Sequence, residues 1–247
     1  MDAKADRSMP ILVLIATEFE ISPSLEARWL ADLPAVRQTE ISRWPDRKAR
    51  HRSLIGSRLL LLSLRRFGYA EACLATLRHS PSSRPTLDLP LEFSLSHGDG
   101  RVVSAVSRTG PIGVDVEAVE NLSAQAFGYF LNENERAWAG HDPRRFYSIW
   151  TRKEAVAKAA GRGLADVRSV DTGGAEQGAE FAGKHWQTVA LPVGMHYVAH
   201  LACPMDRQLR DCLAIEQLSR HALEHGEFSV DSGETPDSRR PIRPFLH

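Results

Sequence analysis

The segment Gly113-Val114-Asp115-Val116-Glu117 places two acidic side chains on one face of a strand. Side chains alternate along a strand, so Ile112, Val114 and Val116 share an apolar face and Asp115 and Glu117 share the other. Adjacent carboxylates repel each other. Either a cation stands opposite them or the face is wet. A hard divalent ion such as Mg²⁺ suits two oxygens at this spacing, and a half-exposed strand with a polar outer face fits the pattern too.

A second cluster follows in Trp150-Thr151-Arg152-Lys153-Glu154-Ala155-Val156-Ala157-Lys158. At about 100° per residue, Lys153 falls in the middle of the apolar face made by Phe146, Ile149, Val156, Ala157 and Ala160. Glu154 and Lys158 lie one turn apart on one flank. A lysine stem can snorkel out of an apolar face, and a surface Glu–Lys pair gives the same spacing. The scarcity of lysine sharpens the signal. The chain holds Lys4, Lys48, Lys153, Lys158 and Lys184 against 26 arginines, and two of those five lysines flank Glu154.

Phe93-Ser94-Leu95-Ser96-His97-Gly98 ends a strand at a turn. Neighbours on a strand face opposite ways, so Ser96 and His97 form no nucleophile–base dyad with each other. No G-x-S-x-G elbow occurs. A histidine beside glycines at a strand end can meet a ligand phosphate, or can simply occupy the turn. His221-Ala222-Leu223-Glu224-His225 matches an H-x-x-E-H zinc pattern. It lies beside a tail too polar to support a rigid metal cage, and ten histidines make a chance match easy.

These residues need elements to position them. Ile11–Ala16 reads as a buried strand, too short for a signal peptide's apolar region and followed at once by Glu18 and Glu20. Trp44-Pro45-Asp46 opens a long helix with the stripe Leu54, Ile55, Leu59 and Leu62, stopped near Gly68. A shorter helix is expected near 70–77, and a loop over the Ser- and Pro-rich 79–90. Strands are expected at 91–95, 102–106 and 112–116. Asn132 with Glu135 makes a capping box, and Asp142-Pro143 opens a helix running to about Ala160. A loop over 171–183 precedes strands near 186–191, 195–202 and 212–217. The alternation of strands and helices predicts an α/β or α+β fold. The expected divisions are a flexible 1–9, a first subdomain 10–108, a second 109–225 and a flexible tail 226–247.

Composition narrows the function classes. The 247 residues hold 31 basic and 31 acidic side chains, which excludes a chain that is basic throughout and built for nucleic acid. The charges are segregated. Residues 37–66 carry nine basic and two acidic side chains, and residues 111–142 carry six acidic and one basic. The first region suits an anionic ligand and the second a cation, though each also fits a solvated helix face. A nucleic-acid binder built on 37–66 would lack interleaved aromatics beyond Trp44 and Phe67. No apolar run reaches the ~18 residues of a membrane helix. Cys73, Cys203 and Cys212 form neither a disulfide framework nor a metal pair, as in a cytoplasmic protein.

Taken together, these segments resemble the Sfp-type 4′-phosphopantetheinyl transferases from about Trp44 to Leu164. Arg52-Ser53-Leu54-Ile55-Gly56, then Ser83-Arg84-Pro85, then the Ser96-His97 strand end stand in the family's order. Gly113–Glu117 is similar to its GIDIE-type motif. Trp150–Lys158, running into Gly161-Arg162-Gly163-Leu164, is similar to W-x-x-K-E-A-x-x-K-x-x-G-x-G-L. Family members often have serine where Gly98 stands and lysine where Arg84 stands.

The resemblance implies two similar α/β halves around a pseudo-twofold axis with the active site between them. It implies Mg²⁺-dependent transfer of the phosphopantetheine arm of coenzyme A to a serine of an apo acyl or peptidyl carrier protein, releasing adenosine 3′,5′-bisphosphate. By the same resemblance Asp115, Glu117 and Glu154 hold Mg²⁺, and Glu154 helps deprotonate the serine. Lys153 and Lys158 face the pyrophosphate, while Arg52, Arg84, Pro85, Ser96 and His97 grip the nucleotide. It further implies a cytoplasmic monomer that binds neither membrane nor nucleic acid. The alternative is a non-catalytic relative that binds coenzyme A or a carrier.

Overall fold

The structure, a computed structural model, describes residues 10–69, 74–80, 83–121, 129–173, 178–205 and 212–226. Its strands are β1 (Ile11–Thr17), β2 (Arg78–Ser80), β3 (Ser83–Thr86), β4 (Glu92–Gly98), β5 (Arg101–Ser107), β6 (Gly113–Ala118), β7 (Gly178–Phe181), β8 (Lys184–Ala190), β9 (Tyr197–Pro204) and β10 (Leu213–Leu218). Its helices are α1 (Pro23–Ala31), α2 (Ala35–Ser42), α3 (Arg47–Arg66), α4 (Glu133–Ala139), α5 (Pro143–Ala159) and α6 (Arg220–His225).

Two four-stranded sheets carry the architecture. The first runs β10-β1-β5-β4 and the second β6-β9-β8-β7. One face of the first sheet, through Leu12, Leu14, Val102 and Val106, packs on Leu54, Ile55, Leu59 and Leu62 of α3. Its other face, through Ile11, Val13, Ile15, Val103 and Ala105, packs on Val114, Val116, Ala199 and Leu201 of the second sheet. The far side of the second sheet receives α5 through Ala155, Val156, Ala159 and Ala202. The layers are therefore helix, sheet, sheet, helix. β1 is apolar at successive positions because both of its faces are covered. Each fully buried leucine or isoleucine of α3 contributes about 1.5–3 kcal/mol by leaving water.

Local signals start the two long helices. Asp46 caps α3 by accepting from the Lys48 N–H, and Asp142 caps α5 through the Arg144 N–H with Pro143 in the first turn. The Asn132–Glu135 capping box is present, with both reciprocal bonds.

Several expectations need correction. α1 and α2 occupy a stretch that sequence reasoning left unassigned. The expected loop over 79–90 contains a short hairpin, β2–β3, and the one over 171–183 contains β7. Of the short helix near 70–77 only a 3-10 turn at Leu74–Thr76 lies among the described residues. β10, which falls within the expected second division 109–225, pairs in parallel with β1 from Ile11↔Leu213 to Ala16↔Leu218. The expected flexible segment 1–9, and the expected tail 226–247 apart from Gly226, lie outside the described residues. No described helix is long and apolar enough to cross a membrane.

Gly113 sits where β6 meets α5. A Cβ there would run into the backbone carbonyl of Ala155 and the backbone N–H of Ala159, neither of which can swing away. Gly113→Ala is expected to cost about 3 kcal/mol, the upper part of the overpacking range. Urea denaturation measures this, and a loss below about 1 kcal/mol would show that strand and helix can separate.

Candidate active site

β6 delivers Asp115 and Glu117 toward α5, as period-2 alternation dictates, and α5 delivers Glu154 and Lys158 from one flank. The ammonium of Lys158 lies 2.6 Å from Asp115 Oδ1 and 3.6 Å from Glu154 Oε2. It also donates to Ser96 Oγ at 3.2 Å. The Ser96 hydroxyl in turn donates to Asp115 Oδ1 at 2.8 Å. The indole N–H of Trp150 reaches Glu117 Oε1 at 3.4 Å. Trp150 itself is seated against the rings of Phe130 and Phe146. The Trp150 indole and its bond to Glu117 were given no role by sequence reasoning, although the residue belongs to the motif.

Three carboxylates around one ammonium leave a local excess of negative charge, and the ionisation of the site reflects it. Burial, with Asp115 adding to it, pushes the Glu117 carboxyl up to about 7. Burial and Asp115 likewise push Glu154 up to about 6, with Lys158 opposing them. Burial alone would lower Lys158, but Asp115, Glu154 and Glu117 outweigh it and hold its ammonium above the ordinary lysine range. Behind α5, His200 contacts Thr151 Oγ1 at 2.8 Å. Burial and the charge of Arg152 keep the His200 ring neutral, pushed down to about 3.

Among the described residues no group of three or more His, Cys, Asp or Glu side chains is gathered tightly enough to hold a metal ion. The cation between Asp115 and Glu154 is Lys158. The donor chemistry still fits a hard divalent ion. Asp115 Oδ2 is buried without a hydrogen-bond partner, an oxygen that a cation would satisfy. Glu117 and Glu154 behave as carboxylates short of positive charge.

The other expected contacts divide. Among the described residues Arg52, on α3, has only long ion pairs, 3.8 Å to Asp46 and 3.6 Å to Asp99. Its charge, after desolvation, lowers the pKa of His97, so these two groups are near each other. Beside Asp99 opens a cleft of about 520 Å³ of mixed charge, lined by Arg47, Lys48 and His51 together with Glu18, Glu20 and Asp99. Ser96 is fully engaged: its hydroxyl has one donor and two acceptor positions, and Asp115, Val116 N–H and Lys158 occupy them. Arg84 donates to the carbonyls of Phe93 and Ile112 and pairs with Glu92 at 3.0 Å, and Pro85 is half-buried beside it.

Lys153 departs from its expected place. It is fully buried and its ammonium lies 2.8 Å from the equally buried Glu135. It also donates to the Phe130 carbonyl at 3.0 Å. Glu135 completes its own set with Thr172, through both N–H and hydroxyl, and with the Asn132 N–H. The pair ties α5 to α4 and to residues near 130 and 172, away from the cluster around Lys158. The H-x-x-E-H match also gathers no metal cage. His221 and His225 stack on an exposed helix face, and Glu224 pairs with Arg220.

The family model of the 4′-phosphopantetheinyl transferase superfamily matches residues 111–197, which contain Asp115, Glu117, Glu154 and Lys158. A relative named 4′-phosphopantetheinyl transferase gsp, from Aneurinibacillus migulanus, is 29% identical over 133 residues, covering 52% of this chain and 56% of its own length. 4′-phosphopantetheinyl transferase pptA of Paxillus involutus is 30% identical over 184 residues, covering 63% of this chain and 70% of its own length. A 4′-phosphopantetheinyl transferase of Bacillus subtilis is 26% identical over 151 residues, covering 58% and 67%.

Proposed function

The chain belongs to the 4′-phosphopantetheinyl transferase superfamily, and from that premise we propose that it moves the phosphopantetheine arm of coenzyme A onto a serine of an apo acyl or peptidyl carrier protein. The observation that carries this reading is the cluster Asp115, Glu117, Glu154 and Lys158, held between β6 and α5. The helix–sheet–sheet–helix layering supports two similar halves about a pseudo-twofold axis. One chain supplies both sides of the site, so a monomer suffices. Cys203 and Cys212, which form no disulfide among the described residues, suit the cytoplasm.

In this reading Arg52 and His97 hold the nucleotide end of coenzyme A, and Lys158 turns its ammonium from Asp115 toward the pyrophosphate. Glu154, pushed up toward neutrality, accepts the proton of the carrier serine as its oxygen attacks the β-phosphorus. Adenosine 3′,5′-bisphosphate leaves. Asp115, Glu117 and Glu154 would hold Mg²⁺, which when bound offsets the charge building on the pyrophosphate oxygens. Mass spectrometry of apo carriers incubated with the protein, coenzyme A and Mg²⁺ tests the reading. A covalent adduct is expected, and its absence across a panel of acyl and peptidyl carriers would refute it. Tight carrier or coenzyme A binding without turnover would instead mark a non-catalytic relative.

The raised carboxylates give the metal a pH signature. Glu117 and Glu154 must shed their protons before they can hold a cation, so affinity for Mn²⁺, used as a probe, rises as pH climbs through about 6 to 7. Calorimetry at several pH values in two buffers should show tighter binding and less proton release at higher pH. Affinity that stays flat across this window would remove both carboxylates from the metal.

A further inference from the structure

β4 and β6 are the facing edges of the two sheets, and among the described residues no backbone ladder joins them. Side chains do so instead. Ser94 Oγ accepts the Val114 N–H at 3.1 Å, and Ser96 Oγ accepts the Val116 N–H at 3.3 Å. These are alternate residues on β4 serving alternate residues on β6, a ladder in which serine hydroxyls replace carbonyls. Arg84 closes its end, donating from one nitrogen to Phe93 O on β4 at 2.7 Å and to Ile112 O, just before β6, at 3.0 Å. At the other end Gly98 approaches so closely that a Cβ would stand 2.9 Å from Val116 O.

The seam separates two sets of groups. β6 carries Asp115 and Glu117. The β4 side carries His97 and, through α3, Arg52. We propose that Arg84 and Ser94 are positioning residues that clamp β6 to β4, fixing the metal-holding carboxylates against the nucleotide-holding groups, and that Arg84 grips no phosphate of coenzyme A. This rests on the functional reading above. Its physical basis is satisfaction. The Arg84 guanidinium is already committed to two carbonyls and to Glu92, and an incoming phosphate would have to strip buried carbonyls of their donor. Misplacing reacting groups by a fraction of an ångström slows chemistry without loosening ligand binding.

Calorimetry with adenosine 3′,5′-bisphosphate and adenosine 5′-monophosphate reads the 3′-phosphate grip as a ratio of affinities. Steady-state transfer with coenzyme A reads kcat and KM. Arg84→Gln and Ser94→Ala are expected to keep the wild-type ratio within about twofold, with kcat down about tenfold and KM within about threefold. Arg84→Lys, which keeps a donor at the seam, should recover part of kcat. Arg52→Gln should cut the ratio about tenfold. A ratio that collapses in Arg84→Gln as it does in Arg52→Gln overturns the proposal. So does an unchanged kcat in both Arg84→Gln and Ser94→Ala. Wild-type protein that binds the bisphosphate yet modifies no carrier would fail the functional reading alone, because the ratio still judges Arg84.

Discussion

Glu154→Gln is expected to slow arm transfer to an apo carrier by about 10³-fold or more while leaving the fold intact. The substitution preserves shape and removes one negative charge, so it isolates what the carboxylate does. Glu154 is placed to accept the serine proton and to share a cation with Asp115 and Glu117, and an amide does neither well. Its neighbours report the loss as well. With Glu154 neutral, one of the two carboxylates sharing Lys158 is gone, and Mn²⁺ affinity should drop along with the rate. Rates from intact-protein mass spectrometry, with circular dichroism to check the fold, decide the matter. Transfer within tenfold of wild type would remove Glu154 from both roles.

Lys153→Ala is expected to destabilise the protein by about 3–5 kcal/mol, the cost of stranding a buried charge. Glu135 would keep its bonds to Thr172 and Asn132 but lose its cation, and the Phe130 carbonyl would lose a donor. The paired change Lys153→Met with Glu135→Gln removes both charges while the amide oxygen still accepts from Thr172, and should recover part of the loss. Denaturant unfolding measures each step. The double variant also separates structure from chemistry: if it folds, its KM for coenzyme A should stay near wild type. A KM raised tenfold in that folded variant would place Lys153 at the pyrophosphate after all.

The parts of the site legible in the sequence are those set by local periodicity. Alternation along 112–117 puts both carboxylates on one face, and the helical wheel puts Lys153 inside and Glu154 with Lys158 on a flank. Asp142-Pro143 and Asn132 with Glu135 mark helix starts by capping chemistry that needs no neighbours. What was hidden depends on distant partners. Nothing near Lys153 announces Glu135, 18 residues away, as its counter-ion. A serine on a strand reads as a solvent-facing polar residue, and only the arrival of β6 makes Ser94 an acceptor. Arg84 looks like a free cation until the carbonyls it bridges are in place. β2, β3 and β7 are each three or four residues long, too short for a periodic signal. α1 does carry one: Ser22, which accepts from the Leu25 N–H, followed by Pro23.

The pairing of β10 with β1 has a consequence for how the molecule is made. Synthesis on a ribosome is vectorial, and β1 emerges about 200 residues before the strand that covers its open edge. Until residues 213–218 follow, the first sheet exposes an apolar strand with unpaired backbone groups, the kind of edge to which other chains add. A nascent chain halted after the second sheet would hold every carboxylate of the site and still be topologically open. β10 thus acts as a latch that closes the first sheet only after the strands of the second have been made.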